Sequence, residues 1–345
     1  MMKKSIFCIA SLLMVLPLLS PSQKYIEDSG KVNVVIVKDP YTDSRTGPEL
    51  VGGPEKLEKG GLIEVLKKSG CTIVKISDVK MPPESEREYG EWNRASLTNR
   101  TLGRIISSYS KDEVFFIGLL SSSKSLVGML AGLQHLGPDR APLKDSRERD
   151  IIGLPQLGDS KPLKVGLVWI DAKAAFNTPD ITLEGNMEGM NVAAAAGLSN
   201  YNLRLQAGLD PPLSSKHIVM AGVRDTTPYE DFNIDNSFIE KITVEDIRGL
   251  SQNIRNQMDR LSQLVDVIYI HVDMSVLDPA EIPDHPHIFP DGPSSQQLAA
   301  TLEVMFSYSK TAAFGIASFP ENPQDITSRA ANRLIEGSIK GIKNR

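Results

Sequence analysis

The chain has 345 residues, 41% of them apolar and 23% charged, with a formal net charge of −5. That composition belongs to a soluble globular protein with chain enough for one large α/β domain or two small ones. The acidic balance argues against nucleic acid or an anionic membrane surface as the main partner.

The first 22 residues differ from the rest. Lys3 and Lys4 precede an apolar stretch from Ser5 to Leu19, and small residues follow, with Ser20 and Ser22 placed for cleavage after Ser22. This three-part pattern predicts a secretory signal peptide over 1–22, a protein domain over 23–345, and a secreted or periplasmic location. The apolar stretch is short for a membrane span, which needs about 20 residues. Cleavage leaves Cys71 as the only cysteine, so no internal disulfide forms, and its place in CTIVKI suits a buried core thiol.

Val32–Val37 reads as a first buried strand. GGPEKLEKGGLIEVLKKSG then carries apolar residues at helical spacing, with Gly70 placed to end the helix. Further strands are expected at Cys71–Ile76, Val114–Leu120, Val165–Ile170, His217–Val223, Val267–Val272 and Ala312–Ser318. Helices are expected at Leu97–Tyr109, Ser125–Leu136, Val192–Leu198, Thr243–Leu264, Ser294–Tyr308 and Ser328–Ile342. Pro138–Pro162 is polar and rich in Pro and Gly, and reads as a long loop. Strands without polar alternation, separated by helices, predict a single three-layer α/β/α domain around a mainly parallel sheet.

In such sheets ligands bind beyond the carboxyl ends of the strands. The segments there read SSSKS (121–125), DAKAAFNT (171–178), RDTTPYE (224–230), DMSVLDP (273–279) and SFPENP (318–323). Together with GGPEKLEKGGL and AGVRD, they resemble, in order, the strand ends of the arginase and agmatinase (ureohydrolase) family. The resemblance spans nearly the whole chain after residue 22 and implies an arginase-like fold.

The resemblance also implies a chemistry. Family members hold two manganese ions on six side chains, and the ions make a hydroxide that attacks a guanidinium carbon. Alternate residues at a strand end point the same way, so one short segment supplies several ligands. In this chain Lys124 stands at the position of a family His. Asp171 matches the first carboxylate of the next motif, but Lys173 replaces its His and Ala175 its second Asp. Asp273 matches the first carboxylate of the last motif, and Ser275 replaces the second. Only Asp171 and Asp273 remain as metal candidates, too few for manganese, and a lysine ammonium has no lone pair to offer. No cofactor is therefore expected.

Lys124 and Lys173 would instead replace the lost charge as ion pairs with the two aspartates. Asn177, Glu184, Glu188 and Glu230 are the ligand-binding candidates, with His271 on the same strand face as Asp273. Thr227 and Pro320 depart from the family's substrate contacts. His285 and His287, with Asp284 or Asp291, form a weaker metal motif, and Asn99-Arg100-Thr101 is a glycosylation sequon. The expectation is an exported pseudoenzyme that binds a small cationic or amino-acid-like ligand. The alternative is a divergent hydrolase of C–N bonds in linear amidines or amides. The resemblance further implies a homo-oligomer, a trimer or hexamer.

Overall fold

The computed structural model describes residues 30–41, 48–81, 83–109, 113–136 and 161–345. The signal-peptide segment and nearly all of the 138–162 loop lie outside them.

Eight strands form one sheet: β1 (Val32–Asp39), β2 (Cys71–Asp78), β3 (Phe115–Leu120), β4 (Val165–Ile170), β5 (Ile218–Ala221), β6 (Glu240–Ile242), β7 (Val267–Asp273) and β8 (Thr311–Ala317). Their order is β2-β1-β3-β8-β7-β4-β5-β6, and every pairing is parallel. The continuous apolar runs are explained by burial on both faces. Val34, Ile36, Val168, Ile170, Ile268 and Ile270 point into one core, while Val35, Val37, Leu167, Trp169, Val267 and Tyr269 point into the other. Each such residue, once fully buried, contributes about 1.5–3 kcal/mol.

Several elements differ from the sequence expectation. β6 was not expected: it is a three-residue edge strand, two of whose side chains are exposed, so no apolar run marks it. The helix expected over Thr243–Leu264 breaks in two, Val244–Gly249 and Gln252–Leu264, because Leu250 turns left-handed (φ 48°) and Ser251 caps the second segment. The early helix is likewise divided, at Gly60 and Gly61, where Gly61 takes φ 105°. Helices at Tyr201–Ala207 and Pro228–Asp235 were not expected.

The sheet order brings β3, β8, β7 and β4 side by side, so their carboxyl ends form one continuous floor. Arg345 closes the opposite side of the chain, donating to the carbonyls of Phe306 (2.8 Å) and Thr311 (2.7 Å).

Candidate functional site

Asp171 follows β4 and Asp273 ends β7; both are buried. The N–H of Lys173 (3.1 Å) and the hydroxyl of Ser275 (2.9 Å) donate to Asp171 Oδ1. Asp273 takes three donors: the N–H of Ser275 on Oδ1 (3.0 Å), and the hydroxyls of Ser123 (2.9 Å) and Ser318 (2.6 Å) on Oδ2. Ser123, Ser275 and Ser318 lie in the segments just after β3, β7 and β8, so hydrogen bonds lace the four strand ends together.

Behind Ser123 the network continues. Its Oγ lies 2.8 Å from His271 Nε2, and the Tyr269 hydroxyl lies 2.9 Å from His271 Nδ1. The Trp169 ring stacks on the imidazole at 4.6 Å and 4°, and its Nε1 donates to the Lys173 carbonyl (2.8 Å). Donor counting fixes the direction of the chain. Tyr269 is fully buried, so its proton goes to Nδ1; Nε2–H then donates to Ser123, and Ser123 donates to Asp273. Burial pushes His271 down to about 4, so the ring is neutral at neutral pH.

The two carboxylates separate in acidity. Burial, then the charge of Asp273, pushes Asp171 well above the usual carboxylate range. Burial alone would raise Asp273 as well, but the charge of His285 and the Ser318 and Ser275 donors hold it below that range. Asp273 is therefore the stronger acid of the two and Asp171 the weaker, as expected of like groups sharing a site.

The expected lysine–aspartate ion pairs are not formed. Among the described residues, no ion pair joins Lys124 or Lys173 to Asp171 or Asp273. Lys124 is 1% exposed, and its carbonyl accepts from Asn99 Nδ2 at 3.0 Å. Lys173 turns away from the floor, and its ammonium lies 5.5 Å from the centre of the Phe289 ring. Hydroxyl and N–H donors, rather than ammonium groups, satisfy the carboxylates.

The other candidates divide. Ala175 is buried at φ 50°, and its carbonyl caps the helix Asn191–Ala195 by accepting from Val192 (3.0 Å). Glu230 is no free ligand acid: it is 3% exposed and accepts the Phe176 N–H at 2.7 Å, which braces the loop after β4. His271 is wholly enclosed in the network. Asn177 is half-buried, and its Oδ1 has no partner. Glu184 is exposed and holds Asn186 (2.6 Å). Glu188 is half-buried, and its charge reaches Asp171. Asp284 is used elsewhere, accepting from Gln324 N (2.6 Å) and Thr327 Oγ1, so the weaker His-x-His metal motif is not assembled. Nor is the sequon available: Asn99 is 1% exposed and bonded through both ends of its amide.

Sequence reasoning missed Ser123, Ser318, Tyr269 and Trp169. One signal was present: Tyr269, His271 and Asp273 alternate along β7 and so share a face. An open cavity of about 440 Å³ lies beyond Phe289, bordered by Arg224, Asp225, Thr243, Glu245 and Pro290.

The residues present do not fit the two manganese ions that the resemblance implies. Only two carboxylates stand at the ligand positions, and hydroxyl and N–H donors already occupy them. Lys124, Lys173, Ala175 and Ser275 offer no comparable ligands. Among the described residues, no group of three or more His, Cys, Asp or Glu is placed to hold a metal ion.

Comparison with known proteins agrees with the architecture. Residues 153–339 match the profile of the arginase family. An arginase of Entamoeba histolytica is 25% identical over 320 residues, covering 91% of this chain and 98% of its own. The crystal structure of an arginase from Bacillus subtilis superposes with a TM-score of 0.73 at 19% identity, over 89% of this chain and 98% of that one. A formimidoylglutamase from the same species superposes with a TM-score of 0.65 at 16% identity, over 90% and 87%. The parallel sheet, the ordered strand ends and these matches together show that this chain belongs to the arginase family.

Proposed function

We propose that this is an exported arginase-family protein that does without a dinuclear manganese centre. It binds a small cationic or amino-acid-like ligand and does not hydrolyse it. One observation carries this reading: Asp171 and Asp273 are satisfied by serine hydroxyls and backbone N–H groups, with lysine, alanine and serine at the remaining ligand positions. A bound cation would have to displace those donors. Without activated water there is no nucleophile for a guanidinium carbon.

Elemental analysis of the purified protein, with and without added manganese, tests the reading. We expect fewer than about one manganese per chain, and no urea from arginine or agmatine. Two tightly held ions per chain, with urea production that is lost in Asp171→Asn, would overturn it.

A second reading is a divergent hydrolase of linear amidine or amide C–N bonds. It is favoured by the relatives named as arginases and by His285, whose Nε2 is buried without a partner. Ammonia or amine release from such substrates by metal-free protein would select it.

A further inference from the structure

Hydroxyl and N–H donors already occupy the carboxylates of the floor, so a cation finds its free acceptors elsewhere. The cavity of about 440 Å³ beyond Phe289 lies at the same end of the sheet, where residues 223–225 follow β5 and the helix Val244–Gly249 follows β6. Its volume is that of an ordinary small-molecule site. Both of its walls are fixed from behind. On one, the Arg224 guanidinium donates to the carbonyls of Pro290 (2.7 Å), Gly222 (3.1 Å) and Phe289 (3.2 Å). On the other, Thr243 and Asp246 cap the helix reciprocally, the Asp246 N–H donating to Thr243 Oγ1 (3.1 Å) and the Thr243 N–H to Asp246 Oδ2 (2.9 Å). Walls held in place before a ligand arrives need little further ordering when it binds.

Three exposed carboxylates border this cavity: Asp225, Glu245 and Asp291. Among the described residues Asp225 and Asp291 enter no ion pair, and Glu245 has only a loose one, with Arg248 at 3.8 Å. An exposed pair of that kind holds a carboxylate weakly. The cation in the lining is Arg224, half-buried and bonded to backbone carbonyls. Three carboxylates against one guanidinium make the lining net negative, and a cleft of one sign concentrates ions of the other. The three acids do not converge on a point: among the described residues, no group of three or more His, Cys, Asp or Glu is placed to hold a metal ion. Val223, Val244 and Phe289 add apolar surface to the same lining.

Building on the cationic-ligand reading above, we propose that this cavity, rather than the strand-end floor, takes the ligand, and that the ligand is a linear aliphatic diamine. Its two ammonium groups sit on separate carboxylates, and its methylene stem lies against Val223, Val244 and Phe289. Separate carboxylates explain the choice of a divided charge. A point dication meets them one at a time, whereas a diamine that has engaged one holds its second ammonium close to the next. The stem gains by leaving water, which a hydrated metal ion does not. An anionic ligand is excluded by the sign of the lining.

Calorimetric titration of the full chain with 1,4-diaminobutane, 1-aminobutane and magnesium chloride tests the assignment. We expect the diamine to saturate at about one per chain, 1-aminobutane to bind about fivefold more weakly for want of a second charge, and magnesium to show no saturable binding. Asp225→Asn and Glu245→Gln should each weaken the diamine by a similar factor, and the double variant by more. Thermal melts establish that each variant is folded. Magnesium binding as tightly as the diamine, diamine uptake that does not saturate, or diamine affinity unchanged in the folded double variant would overturn the site. Diamine binding that is lost in Asp171→Asn but kept in the double variant would place the cation on the floor, overturning the cavity and leaving the cationic-ligand reading standing. Two tightly held manganese ions with urea production would overturn that reading and leave the diamine site standing.

Discussion

Asp273 shows what a single residue requires once ions are not its partners. Three donors converge on it, two from serine hydroxyls that are themselves buried. A hydrogen bond to a charged group contributes about 1.5–3 kcal/mol, so Ser318→Ala should lower stability by roughly that amount. Lys173→Ala should cost within about 1 kcal/mol, because its ammonium has an aromatic neighbour but no ion pair among the described residues. Denaturant melts of the two variants rank them. A larger loss for Lys173→Ala would restore the ion-pair account and remove the hydroxyl one.

At the scale of elements, β8 matters through an absence. Gly315 pairs with His271 across the β7–β8 ladder, and a Cβ there would lie 1.9 Å from the Tyr269 hydroxyl. Only a hydrogen at this position lets Tyr269 reach the imidazole. Gly315→Ala should cost about 1–3 kcal/mol by overpacking, and it should also free the His271 ring from its fixed tautomer. Adding Tyr269→Phe should recover part of the loss, since the clashing oxygen is removed. Nitrogen-15 shifts of His271 report the tautomer directly; a ring unchanged in Gly315→Ala would show that Tyr269 does not set it.

Over the whole molecule, buried carboxyls tilt the dependence of stability on pH. Asp39 ends β1 at 1% exposure. Burial raises it to about 6, against the pull of Ser125 Oγ (2.7 Å) and Tyr41 N–H (3.0 Å). Its folded pKa exceeds its unfolded value, so its contribution to stability is fully present below about pH 4 and is lost as pH rises through about 6. The difference amounts to about 3 kcal/mol, at 1.36 kcal/mol per pKa unit. Asp171 acts in the same direction. Glu55, held down near 2 by Lys38 and Lys59, acts oppositely, but only below about pH 4.5. Relative to Asp39→Asn, the parent should therefore gain stability as pH falls from about 7 to about 4. Chemical denaturation at matched pH values measures this; a difference that stays flat across that window would place the Asp39 titration outside it.

The sequence by itself determined the sheet. Unbroken apolar strands such as VGLVWI can be buried only when both faces are covered, and the helices between them supply the cover. It also located the site, because Asp171 and Asp273 stand where their strands end and such ends gather on one side of a parallel sheet. The tertiary structure alone decided what those carboxylates touch. Ser123, Ser275 and Ser318 come from segments that the strand order β3-β8-β7-β4 brings together, and a serine carries no periodic signal that would announce a buried donor. Charge counting paired lysines with aspartates, but the direction of a side chain depends on its backbone. Lys173 spends its N–H on Asp171 and its carbonyl on Trp169, which sends its ammonium to Phe289. Glu230 reads as a pocket acid in a polar loop, yet Phe176 draws it inward. The short edge strand β6 exists because β5 leaves an unpaired edge, a condition that no window of the chain contains.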